Sequence, residues 1–449
     1  MKYKKSMFNY IVDDTEGVRL YNSLQGSDSL ILAKGDSAML VKEILKSDFT
    51  CDKNADTKEY RLLREKGYIV PEYVDESLLR ERKLMDIVNY SKLYLVIMPT
   101  EQCNFRCEYC YETHEKGKMS KETQDALIRY VQKNIYRYTG LNVGWFGGEP
   151  LEALDVIEYL SQNFMKICKV AKKPYKAGMT TNAYNLDEKT FRKLYGLNVL
   201  EYQISIDGLR DTHDSLRKLA DGSGSFDTII SNIKAIRNIS DIRFFNVDIR
   251  TNFTKTIAAR LDEYLDYYSN LIGGDSRFSI QINKASDWGG ETVANIKDDL
   301  FETAEEYVNL CREIAKNKKN INFSSQIDEL DAGSFKCYAA RKNSYCIGSD
   351  ARVYKCTEKF DMAENNIGVL KPNGDMEINK YYESLWIATN YYADKDKCRR
   401  CSYSGCCLYS PCPKNTVEAT GHVPCCPRNK HGIDSTLRLI DDDRFTVIE

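Results

Sequence analysis

Short apolar segments alternate with amphipathic segments between residues 93 and 251, and this alternation restricts the possible folds most strongly. It predicts strands at residues 93–98, 143–146, 177–181, 202–206 and 247–251. Amphipathic helices are predicted between them, at residues 120–138, 153–170, 187–194 and 226–239. Such βα repeats form parallel sheets with right-handed crossovers. Because polar or glycine residues follow each strand, the loops should converge on one barrel mouth, where such folds carry their chemistry.

Regions of different character flank this α/β core, so three domains are predicted. Residues 1–90 form an N-terminal unit, residues 91–318 the barrel, and residues 319–449 a cysteine-rich C-terminal domain. A further strand is predicted at 280–282 and a helix at 298–316. Beyond about residue 330 the regular periodicity fades, and we expect that domain to depend on bound metal for its fold.

The N-terminal unit combines short strands with helices. Strands are predicted at 8–12, 18–21 and 29–32, helices at 38–45 and 57–66, and a wing strand at 68–70. Asp36 is a possible N-cap of the first helix. This order indicates a winged-helix-like module, which often binds DNA, but the unit carries many acidic residues. An exposed sheet edge could instead bind a peptide by strand addition. A domain that only packs against the barrel is the third alternative.

The charge and hydropathy of the chain exclude several classes of function. The 449 residues carry a net charge of −2, which gives no electrostatic footprint for nucleic acid or an anionic membrane. No apolar run approaches the roughly 20 residues of a membrane-spanning helix, and the first residues are not typical of a secretory signal. We therefore expect a cytoplasmic protein that binds neither nucleic acid nor membrane.

Sixteen cysteines in a reducing compartment need an explanation other than structural disulfides. Three lie between residues 103 and 110, and ten lie between residues 337 and 426. Clustered cysteines are usually metal ligands, and the presence of only four histidines disfavours histidine-rich zinc sites. The isolated Cys51, Cys168 and Cys311 are predicted to be buried small hydrophobic residues.

The first cysteine group follows the first predicted barrel strand with the spacing C-x3-C-x2-C and consists of Cys103, Cys107 and Cys110. Ligands bind at this end of parallel strands. Three thiolates so close together can hold one metal centre, whereas iron–sulfur cubanes normally take four cysteine ligands. One coordination position would therefore remain for a ligand that is not protein.

The second barrel strand runs into the segment Trp-Phe-Gly-Gly-Glu-Pro. Gly147 and Gly148 let the backbone approach a ligand closely and expose its N–H and C=O groups. Glu149 supplies a carboxylate acceptor for an ammonium group, and Pro150 stiffens the turn. Taken alone, the segment could also be an ordinary βα turn.

Together these motifs resemble the radical S-adenosylmethionine (SAM) family over roughly residues 90–440. The cluster motif of that family is matched by the three cysteines, with Tyr109 before the last, and its amine-binding motif by residues 147–150. The later strand ends also fit, with TTNA at 180–183, QISIDG at 203–208, HDSLR at 213–217 and RTNFT at 250–254. The resemblance implies a partial (β/α)6 barrel.

The resemblance also implies a cofactor and the residues that bind it. The three cysteines would hold a [4Fe–4S] cluster whose free iron chelates SAM, and reduction would release a 5′-deoxyadenosyl radical that abstracts hydrogen from the substrate. Residues 147–150 would take the SAM ammonium group, and Arg217 the carboxylate. Ser205 and Asp207 are expected at the ribose, and Tyr109 near the adenine. An electron donor such as a flavodoxin or a ferredoxin is an implied partner.

The C-terminal cysteines are similar to the SPASM extension of peptide-modifying radical SAM enzymes, which carries two auxiliary [4Fe–4S] clusters and makes three clusters in all. The ligands implied for the first are Cys337, Cys346, Cys356 and Cys412, and for the second Cys398, Cys401, Cys407 and one of Cys425 or Cys426, with a preference for Cys426. Ala351 stands where the pattern usually has glycine. The Cys406–Cys407 and Cys425–Cys426 doublets leave single ligands open, and structural zinc sites are the alternative.

By this resemblance, the chain is expected to be a maturase that oxidatively modifies a ribosomally made precursor peptide, whose leader binds to the N-terminal domain. A thioether or another side-chain crosslink is the expected product, and no general base is identified. An anaerobic sulfatase-maturing (formylglycine-forming) enzyme is disfavoured, because that family has an Asp directly after the cysteine equivalent to Cys356, where this chain has Thr357. The third hypothesis is a non-catalytic metal-binding protein associated with DNA.

Overall fold

A computed structural model describes residues 2–46, 49–50, 57–286, 292–317, 319–323, 330–331, 337–387, 398–408, 412–417 and 433–449. The strands of these residues are β1 (Tyr3–Lys5), β2 (Asn9–Asp14), β3 (Gly17–Asn22), β4 (Ile31–Ala33), β5 (Phe49–Thr50), β6 (Ile69–Pro71), β7 (Leu93–Ile97), β8 (Phe105–Cys107), β9 (Leu141–Trp145), β10 (Tyr175–Thr181), β11 (Val199–Ser205), β12 (Arg217–Leu219), β13 (Asn246–Phe253), β14 (Phe278–Lys284), β15 (Ser344–Ile347), β16 (Arg352–Tyr354), β17 (Asn366–Leu370), β18 (Met376–Ile378) and β19 (Thr446–Ile448).

The helices of the described residues are α1 (Gly35–Lys46), α2 (Lys58–Glu65), α3 (Glu76–Val88), α4 (Lys121–Asn134), α5 (Leu154–Ala171), α6 (Glu188–Gly196), α7 (Arg210–Leu216), α8 (Phe226–Arg237), α9 (Lys255–Ala258), α10 (Leu261–Ile272), α11 (Ala304–Lys316), α12 (Lys380–Ile387), α13 (Ser404–Cys407), α14 (Pro413–Val417) and α15 (Ile433–Leu439).

Six parallel strands form the partial barrel, in the order β14-β13-β11-β10-β9-β7. Burial alternates along them: Ile204 and Ile249 are buried, whereas Gln203 and Arg250 are partly exposed. The buried side chains belong to the main hydrophobic core, together with residues of α4, α5, α6, α8 and α10. The polar residues between them line the open barrel interior. The predicted α/β fold with a partial barrel is therefore confirmed.

Local sequence signals explain where the barrel helices begin. The Ser120 hydroxyl accepts a hydrogen bond from the backbone N–H of Thr123 (3.1 Å) at the start of α4. The Asp187 carboxylate accepts one from Thr190 (2.7 Å) at the start of α6. These caps satisfy backbone donors that the first helical turn leaves without a partner.

The expected loss of regular structure beyond residue 330 is wrong for part of the C-terminal region. β15 pairs in parallel with β7, and β16, β17 and β18 extend the same sheet as an antiparallel meander. All four residues of β15 are buried, so the strand shows no alternation of polar and apolar residues. The cysteine-rich region therefore continues the barrel sheet.

The N-terminal residues form two small sheets and three helices. One sheet has the order β5-β1-β6, and the other has the order β19-β4-β3-β2. β19 comes from the far end of the sequence and pairs in parallel with β4. α1 begins at Gly35, so Asp36 lies in its first turn and is not the predicted N-cap. Thr57 does cap α2, because its hydroxyl accepts from the N–H of Tyr60 (3.2 Å).

Among the described residues, no helix combines the length and the low charge that a membrane span requires.

Candidate active site

A cavity of about 340 Å³ opens at the C-terminal ends of the barrel strands. Its wall includes residues of the cysteine motif, of the 147–150 segment and of the later segments that were predicted to bind SAM. These residues are Cys103, Cys107, Tyr109, Cys110, Gly147, Gly148, Glu149, Ser205 and Arg217. Two further predicted residues lie behind the wall. Pro150 is buried and begins a short 3-10 turn, and the Asp207 side chain is completely buried behind Tyr109.

A short two-stranded ladder fixes the cysteine loop. β8 pairs with β12 in antiparallel fashion, with Cys107 opposite Arg217 and Phe105 opposite Leu219. The backbone N–H of Cys110 then turns back to the carbonyl of Cys107 (3.2 Å). The sequence did not predict this ladder, because each strand has three residues and pairs with a partner more than 100 positions away. The ladder brings Arg217 to the cluster motif.

The three thiols line one cavity, and Cys107 and Cys110 are close enough to Cys103 to raise its pKa. Burial raises the pKa of the Cys110 thiol to about 11, and it also raises the pKa values of Cys103 and Cys107. Buried thiols like these remain protonated unless a cation compensates their charge. The backbone N–H of Phe105 donates to Cys103 Sγ (3.3 Å), which favours the thiolate form. A cationic iron–sulfur cluster would supply the missing charge.

Gly147 and Gly148 are required by the packing of two loops. Gly147 has a φ of +125°, and a Cβ atom there would lie 2.2 Å from the carbonyl oxygen of Thr100. A Cβ on Gly148 would lie 2.5 Å from the carbonyl oxygen of Gln102. The N–H of Glu149 also donates to that carbonyl (2.9 Å). The glycines therefore clamp this segment onto the backbone that leads into Cys103, whereas the sequence indicated close approach to a ligand.

Glu149 has a fixed carboxylate at the cavity wall. Its side chain is 1% exposed and accepts hydrogen bonds from the N–H of Leu151 (3.0 Å), the hydroxyl of Thr181 (2.7 Å) and the N–H of Asn182 (2.7 Å). Burial raises its pKa to about 7 although the three hydrogen bonds act in the opposite direction. A cation in the cavity, such as an ammonium group, would stabilise its charged form.

Asp207 organises a second part of the wall. One of its carboxylate oxygens accepts from the N–H of Asn252 (2.9 Å), and the other accepts from the hydroxyl of Tyr109. Arg217 Nη1 donates to the same hydroxyl (2.8 Å) and lies 3.7 Å from the Asp207 carboxylate. Asp207 thus holds the two side chains that face the cavity, Tyr109 and Arg217, and does not itself reach the wall.

Two buried polar atoms at the cavity have no hydrogen-bond partner among the described residues, Arg217 Nε and Glu112 Oε1. The guanidinium N–H of Arg217 is suited to a carboxylate acceptor, which supports a bound amino acid group at this position. The sequence interpretation missed Glu112, which follows the cysteine motif directly. Burial and the Glu101 carboxylate raise the pKa of Glu112 to about 8.

The first group of C-terminal cysteines comes together beside the barrel. The Cys412 thiol raises the pKa of Cys337, and the Cys337 thiol raises the pKa values of Cys346 and Cys356. The Cys346 thiol also raises the pKa of Cys356. The neighbouring residues Tyr338 and Thr357 line both the mouth cavity and a second cavity of about 600 Å³ inside the barrel. Cys337 and Cys356 are therefore adjacent in sequence to residues that line both cavities.

The second cysteine group packs against the N-terminal domain. The N–H of Cys401 donates to the carbonyl of Cys398 (3.3 Å), and Cys398 packs with Leu84 and Leu408. Cys406 is completely buried, and its thiol donates to the carbonyl of Tyr403 (3.5 Å).

The two members of the first doublet differ in their surroundings. Cys406 also has a hydrogen bond with Tyr21, whereas Cys407 is partly exposed. This difference favours Cys407 as the ligand. Cys425 and Cys426 lie outside the described residues. The prediction of buried isolated cysteines holds for Cys168 and Cys311, and Cys51 also lies outside the described residues.

Residues 97–254 match the family model of the radical SAM superfamily. The chain carries a radical SAM domain. The match includes the cysteine loop, the 147–150 segment and the ends of the barrel strands around the cavity. This domain implies a [4Fe–4S] cluster and SAM, in agreement with the geometry of the mouth cavity.

Curated relatives match parts of the chain. A GTP 3′,8-cyclase of Campylobacter fetus is 27% identical over 262 residues, which cover 56% of this chain and 74% of the cyclase. The molybdenum cofactor biosynthesis protein 1 of Dictyostelium discoideum is 30% identical over 207 residues, or 42% of this chain and 31% of that protein. The chain thus spans less than a third of the length of the second relative.

Solved structures share the fold over a larger part of the chain. The structure of anSMEcpe with bound AdoMet and a Cp18Cys peptide matches with a TM-score of 0.54 at 18% identity. The matched region covers 70% of this chain and 88% of the anSMEcpe chain. The structure of Streptococcus suis SuiB bound to precursor peptide SuiA matches with a TM-score of 0.50 at 16% identity. The matched region covers 90% of this chain and 94% of the SuiB chain. At these identities the likeness is one of fold.

Proposed function

We propose that the protein is a radical SAM maturase that oxidatively modifies a ribosomally made precursor peptide, forming a thioether or another side-chain crosslink. The observation that carries this proposal is the position of the first C-terminal cysteine group. Its neighbours Tyr338 and Thr357 share the barrel interior with the three cysteines of the radical SAM motif. A crosslink removes two electrons from the peptide. One would leave with the hydrogen atom that the 5′-deoxyadenosyl radical abstracts, and an auxiliary cluster held by this cysteine group would accept the other.

The mouth cavity offers a residue for each part of SAM. Cys103, Cys107 and Cys110 would hold the [4Fe–4S] cluster, and bound SAM would supply a 5′-deoxyadenosyl radical for hydrogen abstraction. The Glu149 carboxylate accepts the ammonium group. Arg217 Nε, which has no hydrogen-bond partner among the described residues, binds the carboxylate.

Tyr109 and Ser205 complete the proposed SAM site. The hydrogen bonds of Tyr109 to Asp207 and Arg217 fix its ring for packing near the adenine. Ser205 lies at the end of β11 and lines the cavity, where its hydroxyl can reach the ribose. Asp207 acts in this site by positioning Tyr109 and Arg217.

Two auxiliary [4Fe–4S] clusters complete the proposed set of three. The first uses Cys337, Cys346, Cys356 and Cys412, and the second uses Cys398, Cys401, Cys407 and Cys426. A flavodoxin or a ferredoxin in the cytoplasm would reduce the radical SAM cluster. The likeness to SuiB, whose structure contains a precursor peptide, supports a peptide as the substrate.

The N-terminal domain is the proposed binding site for the leader of this precursor. Its small antiparallel sheet of β2, β3 and β4 offers main-chain groups for strand addition. The domain also packs on the second cysteine group, since Arg80 Nη1 donates to the Ser404 hydroxyl (3.1 Å). Leader binding would therefore take place next to the second auxiliary cluster.

Mass spectrometry of short peptides encoded beside the gene tests the proposal. Reconstituted enzyme with SAM and a reductant should remove two hydrogens from the peptide for every crosslink and should produce 5′-deoxyadenosine. A Cys107→Ala variant is the matched control and should form neither product. If no neighbouring peptide changes mass while 5′-deoxyadenosine is formed, the substrate class is wrong.

A nucleotide-modifying enzyme is the second candidate, because a GTP 3′,8-cyclase matches more than half of the chain. The same assay with GTP in place of the peptide distinguishes the two. GTP consumption that depends on SAM and on Cys107 would favour this candidate over the peptide maturase.

A further inference from the structure

The proposed leader would need a free sheet edge, and one edge of the N-terminal sheet is filled by the chain itself. β19 lies next to β4 at the end of the order β19-β4-β3-β2. The N–H of Thr446 donates to the carbonyl of Leu30 (3.0 Å), and the N–H of Lys34 donates to the carbonyl of Ile448 (2.8 Å). Three residues of β19 therefore satisfy the backbone groups along this edge.

β19 is too short to accept another strand on its outer side. Thr446 and Ile448 direct their backbone groups toward β4, and neighbouring residues of a strand point their groups to opposite sides. Val447 alone presents its N–H and C=O outward, which allows about two hydrogen bonds. The segment from Leu30 to Lys34, which β19 now covers, offers about twice as many backbone hydrogen bonds. An incoming strand gains more hydrogen bonds on β4, once β19 has left.

The contacts that hold β19 itself are few. Ile448 is 8% exposed and belongs to the hydrophobic cluster of Leu20, Ile31 and Ile69. The side chain of Val447 is 49% exposed. Among the described residues, one apolar side chain, a short ladder and a hydrogen bond from Lys58 Nζ to the carbonyl of Glu449, the residue after β19, therefore hold β19. A strand with an aliphatic residue at the position of Ile448 can replace it.

The segment before β19 is fixed more firmly. The ring of Phe445 lies 4.8 Å from the guanidinium of Arg19, which donates to the carbonyl of Ile440 (3.2 Å) and forms an ion pair with Asp442 (2.6 Å). Because this anchor is independent of the β19 ladder, β19 can detach while the preceding residues stay docked. A detached β19 would remain at high local concentration and act as an intramolecular competitor.

We propose that β19 occupies the peptide-binding edge of the free enzyme and that the leader binds to β4 by displacing it. This inference rests on the proposed function. The leader segment would be an extended strand with an aliphatic side chain that replaces Ile448 among Leu20, Ile31 and Ile69. The apparent affinity for the leader is lowered by the fraction of enzyme whose edge is occupied.

The competition is tested by measuring how tightly holoenzyme variants bind the precursor peptide that serves as the substrate. Ile448→Ser weakens the hold of β19 and should lower the Kd of the precursor about tenfold, because more enzyme has a free edge. Val447→Ser, on the neighbouring half-exposed residue, is the matched control and should change the Kd by less than about twofold. Equal Kd values for wild type and Ile448→Ser would overturn the inference, while modification of the peptide would leave the proposed function intact.

Hydrogen–deuterium exchange provides a test that needs no variant. Saturation with the precursor should expose the amides of Thr446 and Ile448 to exchange, whereas the amide of Lys34 stays protected by its new partner and the amide of Phe445 stays protected in the anchor. Unchanged protection of Thr446 and Ile448 would overturn the inference.

Before a precursor is known, a synthetic peptide of residues 444–449 serves as the probe. It should bind Ile448→Ser holoenzyme more tightly than wild type, and equal binding to both would contradict displacement at β4.

Discussion

Arg217→Met removes the guanidinium that lies 3.7 Å from the buried Asp207 carboxylate. Removing one partner of a buried ion pair costs about 3–5 kcal/mol of unfolding free energy. Asp207 keeps its hydrogen bonds from Asn252 and Tyr109, so we expect the lower end of that range, about 3 kcal/mol. Methionine preserves much of the packing volume, and the loss therefore reports the charge and its hydrogen bond.

The double variant Asp207→Asn with Arg217→Met separates stability from ligand binding. Neither charge remains, and an asparagine can still accept from the N–H of Asn252 and donate to the Tyr109 hydroxyl. We expect the double variant to recover at least about 1 kcal/mol relative to the sum of the single effects. SAM binding should not recover, because Arg217 Nε is missing from the cavity wall.

Thermal unfolding under anaerobic conditions measures the stability, and calorimetric titration with SAM measures the binding. Arg210→Met is the matched control, since the Arg210 side chain is exposed and pairs with the exposed Asp227. This control should leave both quantities unchanged. If the double variant binds SAM as tightly as wild type, Arg217 does not contact SAM. If Arg217→Met is as stable as wild type, the charge-compensation argument is wrong.

Four further predictions concern single residues. Gly147→Ala places a Cβ 2.2 Å from the Thr100 carbonyl oxygen and should prevent binding of the radical SAM cluster. The iron–sulfur absorbance should then fall by about a third, and unchanged absorbance would contradict the clamp between the loops. Cys406→Ala should retain all iron, whereas Cys407→Ala should lose about four irons per chain in iron analysis. The opposite result would make Cys406 the ligand in place of Cys407. Ala351 has a φ of +66°, so Ala351→Gly should raise the unfolding free energy by about 1 kcal/mol in thermal denaturation, and a loss of stability would refute this reasoning. Burial lowers the pKa of His213 to about 3. The stability that comes from its neutral form is therefore complete above about pH 6.5 and is lost as the pH falls. Between about pH 6.5 and 4.5, the unfolding free energy of wild type should fall by about 2 kcal/mol more than that of His213→Gln, and parallel pH curves would refute this reasoning.

The barrel could be predicted from the sequence because its signals are local. Alternating apolar segments marked the strands within a few residues, and the Ser120 and Asp187 caps mark helix starts that are visible in the sequence. The cysteine spacing and the residues from Gly147 to Glu149 predicted one ligand-binding site at the strand ends, where the structure has the mouth cavity. The first cysteine group and the mouth cavity therefore followed from short segments.

Long-range pairing could not be predicted in the same way. β8 meets β12 and β19 meets β4 through three residues each, and such short ladders have no periodicity of their own. Tertiary context also decided individual roles. Asp207 follows a strand end like a ligand-binding residue, but the fold buries it behind Tyr109. Ala351 departs from the SPASM pattern, and its left-handed backbone supplies the physical reason for glycine there.

We propose three clusters for this chain, one radical SAM cluster and two auxiliary clusters beside the same barrel. Iron and acid-labile sulfide analysis of anaerobically reconstituted protein distinguishes this set from a single cluster. We expect about twelve irons and about twelve sulfides per chain for wild type, and about eight of each after Cys103, Cys107 and Cys110 are all replaced by alanine. About four irons in wild type, with none left in the triple variant, would contradict it.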